Sequence, residues 1–307
     1  MMKLLIVGNS SLVNRKIAPT LEENKLVKSF DIATTSNTKF SYSKLQTTYR
    51  DYSEAISKSD ANIVYISLPN SMHYDFSRMS MLFNKDVIVD KPAITKKNEL
   101  NKLYDLAKKN NLAITMSCVF NYHKCWKKFK DISLKNNNKG VLSVNFTIPK
   151  LDKSNIRMSN KLAGGALNDM AIYSSNIGYL FWERQVSSLK VNKYTKNKLV
   201  IGFTVLANYG NGKDLIGNFG FEKNYKNNVT YSGENFETSY DRVFSPPIDF
   251  ETKIIRNKNE DLKEFLIGKD DVFKNYFNYV FKNVQNNKKI LREEFRKINQ
   301  EYLNYIR

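Results

Sequence analysis

Three side chains carry the types of group that chemistry needs, in two short contexts. Lys91 sits in Asp90-Lys91-Pro92, directly after the apolar run Val87 to Val89. Its ammonium therefore stands at the end of a buried strand, on a loop stiffened by a proline that fixes φ and removes a backbone donor. Asp169 and Tyr173 belong to the stretch GGALNDMAIY, Gly164 to Tyr173, and a spacing of four puts both on one helix face. Gly164 and Gly165 let a neighbouring segment or a ligand come close to the start of that helix. A cation, a carboxylate and a phenol are groups that move protons and stabilise charge on a reacting oxygen. Taken singly, each also fits a plainer description: a surface lysine in a turn, and a polar pair on a packed helix.

Lys91 draws its meaning from the unit that presents it. Asn62 to Pro92 contains two apolar runs, Ile63 to Leu68 and Val87 to Val89, separated by a helix-length segment, and each run ends in a proline-containing turn. This is a βαβ unit with two buried parallel strands. Ligands of open α/β sheets lie beyond the carboxyl ends of the strands, where Leu68, Pro69 and Asn70 fall together with Asp90, Lys91 and Pro92.

Upstream, Lys3 to Val7 reads as the first strand, Gly8 to Ser11 as a tight turn and Leu12 to Glu23 as a helix with Ser10 or Ser11 as N-cap. A strand, a glycine turn and a helix N-terminus receive a dinucleotide pyrophosphate on free backbone N–H groups, so Gly8, Ser10, Ser11 and Leu12 are candidate cofactor contacts. The G-x-G-x-x-G fingerprint is eroded: Ser10 stands for the second glycine and Val13 for the third. Ser10 adds a Cβ where the backbone approaches phosphate, although its hydroxyl offers a hydrogen bond. At the end of the next strand, Ser29 to Thr34, the acid that holds the ribose 2′-OH of NAD is missing. Thr35, Ser36 and Lys39 suit a 2′-phosphate, which favours NADP over NAD; an ordinary polar loop is the other reading. A short strand over Gln46 to Tyr49, a brief helix over Tyr52 to Ser57, a helix over Lys96 to Lys109 with Leu100, Leu103, Leu106 and Ala107 on one face, and a strand over Ala113 to Ser117 complete a six-stranded doubly wound sheet.

After residue 118 the pattern changes. A connecting helix carries Cys118, Cys125, Trp126, Phe129 and Ile132 near helical spacing, with His123 among packed residues. Strand-like runs follow at Val141 to Pro149, Val186 to Tyr194, Leu199 to Tyr209, Asp214 to Glu222, Asn228 to Gly233 and Phe250 to Arg256. One helix over Gly165 to Phe181 separates the first two, and helices over Glu260 to Asn286 and Arg292 to Tyr305 close the chain. The fold class is thus an α/β Rossmann domain over residues 1–118, followed by an α+β domain over residues 119–307 with a large open-faced, mainly antiparallel sheet. A sheet covered by helices on one face only suits a homo-oligomer, dimer or tetramer.

Composition narrows the partners. With 41% hydrophobic and 13% aromatic residues the chain is globular, and no apolar run approaches a membrane span or a signal-peptide core, which places it in the cytoplasm by default. Cys118 and Cys125 lack zinc spacing, and His73 and His123 lie far apart, so neither a metal nor a disulfide is expected. The formal charge of +19 comes mostly from dispersed lysines without an Arg-rich block. That pattern favours attraction of an anionic small substrate over nucleic acid binding.

Taken together and in order, four segments resemble the glucose-fructose oxidoreductase and inositol dehydrogenase (Gfo/Idh/MocA) family: VYISLPNSMHY at Val64 to Tyr74, VIVDKPAI at Val87 to Ile94, GGALNDMAIYSSNIGYLF at Gly164 to Phe181 and YDRVFSPP at Tyr240 to Pro247. The resemblance implies hydride transfer between a nicotinamide and a hydroxyl or keto carbon, on a sugar, a cyclitol or a nucleotide-linked sugar. It matches Lys91 to the family lysine that contacts the reacting oxygen, and Asp169 to a helix aspartate near the substrate. Tyr173 takes a position held by His or Tyr, and Pro69, Asn70 and His73 match the segment lining the nicotinamide half of the cofactor. Departures are the eroded glycines, Asp90 for the usual Glu, and Asn121 where many members carry Arg. On this basis Tyr173 is the expected proton donor, assisted by Lys91, with Asp169 fixing a substrate hydroxyl or orienting Lys91. The RVFSPP segment resembles that of members reducing keto groups on nucleotide-linked deoxysugars, in surface-polysaccharide or sugar-derivative synthesis. Oxidation of a free sugar or inositol, or a non-catalytic dinucleotide- or sugar-sensing regulator, are the competing functions.

Overall fold

Short β-branched runs alternating with amphipathic stretches fold as their periodicity dictates. The computed structural model describes residues 1–135 and 139–306. In chain order the first region comprises β1 (Met2–Val7), α1 (Ala18–Glu23), β2 (Val27–Ala33), β3 (Leu45–Tyr49), α2 (Tyr52–Lys58), β4 (Ile63–Ile66), α3 (His73–Leu82), β5 (Asp86–Asp90), α4 (Lys97–Lys109) and β6 (Ile114–Ser117). The strands form one six-stranded sheet in the order β3-β2-β1-β4-β5-β6, parallel throughout. The order reverses at β1, so the ends of β1 and β4 flank the switch point where open α/β sheets bind ligands. Leu4 to Val7 and Ile63 to Ile66 are fully buried, as strands covered on both faces must be. Helix α4 buries Leu100, Leu103 and Ala107 on its expected face, and Glu99 accepts from the Thr95 and Lys96 N–H groups at its start.

The second region comprises α5 (Lys124–Leu134), β7 (Gly140–Thr147), α6 (Ala166–Trp182), β8 (Ser188–Lys196), β9 (Leu199–Asn208), β10 (Lys213–Gly220), β11 (Lys226–Ser232), β12 (Phe236–Asp241), β13 (Thr252–Lys258), β14 (Asp261–Gly268), α7 (Val272–Asn286) and α8 (Lys288–Tyr305). Its eight strands run β14-β13-β12-β11-β7-β10-β9-β8, antiparallel except for the β7–β10 pair. Helices α5 and α6 pack on this sheet. Along β9 and β10 burial alternates with period two, leaving Leu206 and Ile216 half exposed.

Three expectations are corrected. The stretch from Glu260 is not the start of a helix: Asp261–Gly268 is a strand paired with β13. Leu262, Phe265 and Leu266 mimic helical spacing, but Asn259 and Glu260 both adopt positive φ, and the resulting tight turn folds a hairpin. Phe236–Asp241 is a further strand, in a stretch too polar to read as one. The division at residue 118 also needs amending, because the two compact units are Met1–Ser117 with Phe273–Asn299, and Cys118–Val272 with the residues from Gln300 onward. Helix α7 and most of α8 belong to the first unit because their apolar faces are buried there. The Phe277 ring lies 5.9 Å from that of Tyr65, Lys288 pairs with Asp86 at 2.9 Å, and Arg292 donates to the Leu112 carbonyl at 2.8 Å.

Candidate active site

Within the first unit, the loops at the carboxyl ends of β1, β4, β5 and β6 converge on Asp90. Gly8, after β1, adopts φ +106°, and a Cβ there would lie 2.1 Å from the Ser67 carbonyl oxygen, so only glycine fits this turn. Ser10 does not turn its hydroxyl outward. Its Oγ accepts from the Val13 N–H at 3.2 Å, which makes it the cap of the following helix, and lies 2.8 Å from Ser67 Oγ. Ser67 Oγ donates to Asp90 Oδ2 at 2.5 Å, so its single proton is committed and Ser10 is the donor to Ser67. Asp90 Oδ1 accepts from Tyr65 at 2.5 Å and from Ser117 at 2.9 Å. Burial and the Asp90 carboxylate push the Tyr65 phenol well above its ordinary pKa, which keeps it a donor. The aspartate that replaces the family's usual glutamate is thus gripped by three hydroxyls. Lys91, the next residue, is half buried on a loop joined to Pro92 by a cis peptide bond.

His73 lies behind this loop, fully buried. Its Nδ1 is 2.7 Å from the Pro92 carbonyl oxygen and its Nε2 is 2.7 Å from that of Leu68. It braces the β4 loop, with Leu68, Pro69 and Asn70, against the loop that carries Lys91, and burial lowers its pKa. The helix after Ser11 opens with a π turn over Val13–Ile17, a widened start where the buried Val13 replaces the fingerprint glycine that permits close helix–strand packing. At the end of β2, Thr34, Ser36 and Thr38 form a chain of hydroxyls, with Ser36 Oγ 3.0 Å from Thr34 Oγ1 and 2.8 Å from Thr38 Oγ1. Ser11, Thr35 and Lys39 are exposed along the same edge, and Leu12 is partly so. These groups fit a phosphorylated dinucleotide: a backbone turn for the pyrophosphate, hydroxyls near the ribose and no acid in between.

In the second unit, the Gly164-Gly165 turn is fixed by its neighbours. The Gly165 N–H donates to the Arg157 carbonyl at 2.7 Å, and a Cβ on Gly164 would come within 2.5 Å of that same oxygen. This holds Arg157 against the start of α6, where its Nε pairs with Asp169 Oδ2 at 3.2 Å. Asp169 is buried, and one turn along the helix Tyr173 stands between two aromatic walls. Its ring lies 5.2 Å from Phe146, edge to face, and 4.7 Å from Phe244. Phe244 belongs to the RVFSPP segment, and its N–H donates to Asn227 Oδ1 at 3.0 Å. Arg157 and Phe146 escaped the sequence reading, and Phe244 entered it only as part of the RVFSPP segment, because only tertiary pairing joins them to Asp169 and Tyr173. Tyr65, Ser67 and Ser117 escaped it because they read as strand residues.

Among the described residues no group of three or more His, Cys, Asp and Glu side chains could hold a metal ion, and no helix is long and apolar enough to cross a membrane. Cys125 is buried, and burial pushes its thiol up to about 12, which leaves it unreactive.

A doubly wound parallel sheet with a dinucleotide turn, followed by an open-faced sheet domain that carries a tyrosine and an aspartate on one helix, defines a nicotinamide-dependent oxidoreductase class. Residues 2–117 match the model of the oxidoreductase family with an NAD-binding Rossmann fold, Gfo/Idh/MocA. Over these residues the chain is similar to that family. A dTDP-3,4-didehydro-2,6-dideoxy-alpha-D-glucose 3-reductase of Actinomadura kijaniata is 22% identical over 283 residues, covering 87% of this chain and 83% of that protein. A reductase of the same name from Saccharopolyspora spinosa is 24% identical over 226 residues, 72% of this chain and 68% of its own length. The crystal structure of a 3-ketoreductase from Actinomadura kijaniata in complex with NADP and TDP-benzene has the same fold, with a TM-score of 0.92 at 20% identity over 99% of this chain and 95% of that one.

Proposed function

We propose that the protein is an NADPH-dependent ketoreductase that reduces a keto carbon on a nucleotide-linked deoxysugar, acting in the cytoplasm where such sugars are made. The observation that carries this reading is the packing of Phe244 on Tyr173. The RVFSPP segment, which points to nucleotide-sugar substrates, supplies one wall of the candidate proton donor. Its support is the kinship with two dTDP-sugar 3-reductases over most of their length.

The cofactor, when bound, supplies the hydride. Reduction of a ketone forms a C–H bond and leaves negative charge on the carbonyl oxygen, which must then be protonated to the alcohol. Tyr173 donates that proton, and the Lys91 ammonium supplies positive charge to the developing alkoxide. Asp169, held by Arg157, accepts a hydrogen bond from a substrate hydroxyl and fixes the sugar's orientation. The half-exposed face of the eight-stranded sheet, with Leu206 and Ile216, is assigned to pairing with a second copy; a one-chain mass by light scattering at working concentration would exclude this.

NADPH oxidation with a dTDP-linked 3-keto-2,6-dideoxysugar tests the activity. Tyr173→Phe is expected to lower kcat by about 100- to 10,000-fold with KM little changed, because the lost hydroxyl acts in the transition state. Wild-type turnover by this variant would remove Tyr173 from the mechanism. Oxidation of free sugars or inositol with NADP, without activity on the nucleotide sugar, would replace the substrate class.

A further inference from the structure

Arg50 lies outside every segment that signals cofactor binding, yet β2 and β3 pair in parallel with Ala33 opposite Tyr49. Thr34 donates its N–H to the Tyr49 carbonyl at 3.0 Å, so the next residue, Arg50, emerges beside the loop that follows β2. Its guanidinium Nη1 donates to the Ser36 carbonyl oxygen, a bond that uses one of five N–H donors. The neighbouring Asp51 carboxylate is taken by the Glu54 N–H at the start of α2, at 2.7 Å. Asn9 crosses from the first turn, and its Nδ2 donates to Ser36 Oγ at 3.0 Å and to Thr38 Oγ1 at 2.9 Å. Asn9 Oδ1 accepts from Asn14 Nδ2 at 2.8 Å.

The proton count at this corner shows what it can bind. Thr34, Ser36 and Thr38 carry three hydroxyl protons, and their two mutual bonds consume two of them. One proton is left for an outside acceptor, next to an exposed guanidinium. The carboxylate that would accept from a free 2′,3′-diol is absent from residues 34–39, where Asn37 offers only a neutral amide, and the Asn9 amide oxygen is occupied. Such a corner offers donors and positive charge, which suits a dianionic phosphate monoester.

We propose that Arg50 is the specificity-determining residue for the 2′-phosphate of NADP, gripping it from the end of β3 while the Ser36–Thr38 hydroxyls complete the subsite. This rests on the NADPH reading above and adds the residue that enforces it. Bound this way, the phosphate sits against Arg50 without displacing the Asn9 contacts that tie the β2 loop to the first turn.

Fluorescence titration with NADPH and with NADH, on wild type, Arg50→Ala and Arg50→Lys, separates the possibilities, with 2′,5′-ADP and ADP as competing probes. The side chain is exposed, and circular dichroism checks that each variant is folded. For Arg50→Ala the NADPH Kd is expected to rise by about 10- to 100-fold and the NADH Kd to change by less than about 2-fold. Arg50→Lys should fall in between, since an ammonium keeps the charge but loses the fork. The 2′,5′-ADP competition should weaken in step with NADPH, and the ADP competition should not. A wild type that prefers NADPH, with the preference intact in Arg50→Ala, overturns the role of Arg50 alone. Equal loss for both cofactors overturns it as well. A wild type with no preference for NADPH overturns both this role and the cofactor reading.

Discussion

Around Asp90 three hydroxyls converge on one carboxylate, whereas around Tyr173 two phenyl rings close on a phenol. The first arrangement fixes its loop by directed bonds to a carboxylate, two of them at 2.5 Å and one at 2.9 Å. The second packs its side chain between rings. The difference follows from the elements. Parallel strand ends present polar side chains and unfinished backbone groups that must find partners, while a helix lying on an open sheet presents an apolar face that must be packed. In the proposed reaction, the lysine that supplies a fixed charge stands on the first kind of support and the proton donor on the second.

This contrast predicts opposite failures. Phe244→Ala removes a buried ring from the wall of Tyr173 and is expected to cost about 3–5 kcal/mol of stability, read as a lowered denaturant midpoint of the second unit. It should also lower kcat, while NADPH affinity stays unchanged. Asp90→Ala takes the charged acceptor from Tyr65, Ser67 and Ser117, leaving Tyr65 and Ser117 to each other at 3.1 Å and Ser67 to Ser10, and should cost about 2–4 kcal/mol, less than the ring because Asp90 is partly exposed. Its functional signature is the reverse. Ser67 and Ser10 lose the acceptor that orders the first turn, so NADPH binding should weaken by about 10-fold, on the order of one lost hydrogen bond to a charge. If both variants weakened cofactor binding equally, the separation of the two supports would fail.

Much of this was legible in the chain. Strands β1, β4 and β5 announce themselves as apolar runs between turn residues, while β3 is polar and largely exposed, and Lys91, Asp169 and Tyr173 stand at the strand end and on the helix face that their spacing implies. What remained hidden depends on which way a side chain turns or on what packs across from it. Ser10 reads as a damaged glycine, and only the 2.8 Å approach of Ser67 shows the hydroxyl facing inward. Arg50 is one basic residue among many until the parallel register sets it beside the β2 loop. Arg157 is separated from Asp169 by a two-glycine turn whose conformation no local propensity dictates. The hairpin of β13 and β14 was hidden for another reason: its apolar residues fit helical spacing, and the two positive-φ residues at its tip, Asn259 and Glu260, are not glycines.

A third carboxylate sharpens the comparison. Glu301, on α8 in the second unit, is as buried as any core residue, yet only its Oε1 is satisfied, by the Val186 N–H at 3.0 Å; Oε2 has no partner among the described residues. Where Asp90 collects three donors, Glu301 collects one, and burial pushes its pKa up to about 7. A carboxyl whose pKa is higher folded than unfolded binds more protons in the native state, so its contribution to stability is fully present below the unfolded value. That contribution is lost as pH rises from the ordinary glutamate range through about 7. At roughly 1.4 kcal/mol per unit, and allowing for the buried amide that replaces one oxygen, Glu301→Gln is expected to stabilise the protein by about 1–3 kcal/mol at pH 8. At pH 5 the gain should nearly vanish. Chemical unfolding of both proteins at the two pH values tests this, and a gain of equal size at pH 5 would show that packing, not the charge, is what Glu301 costs the fold.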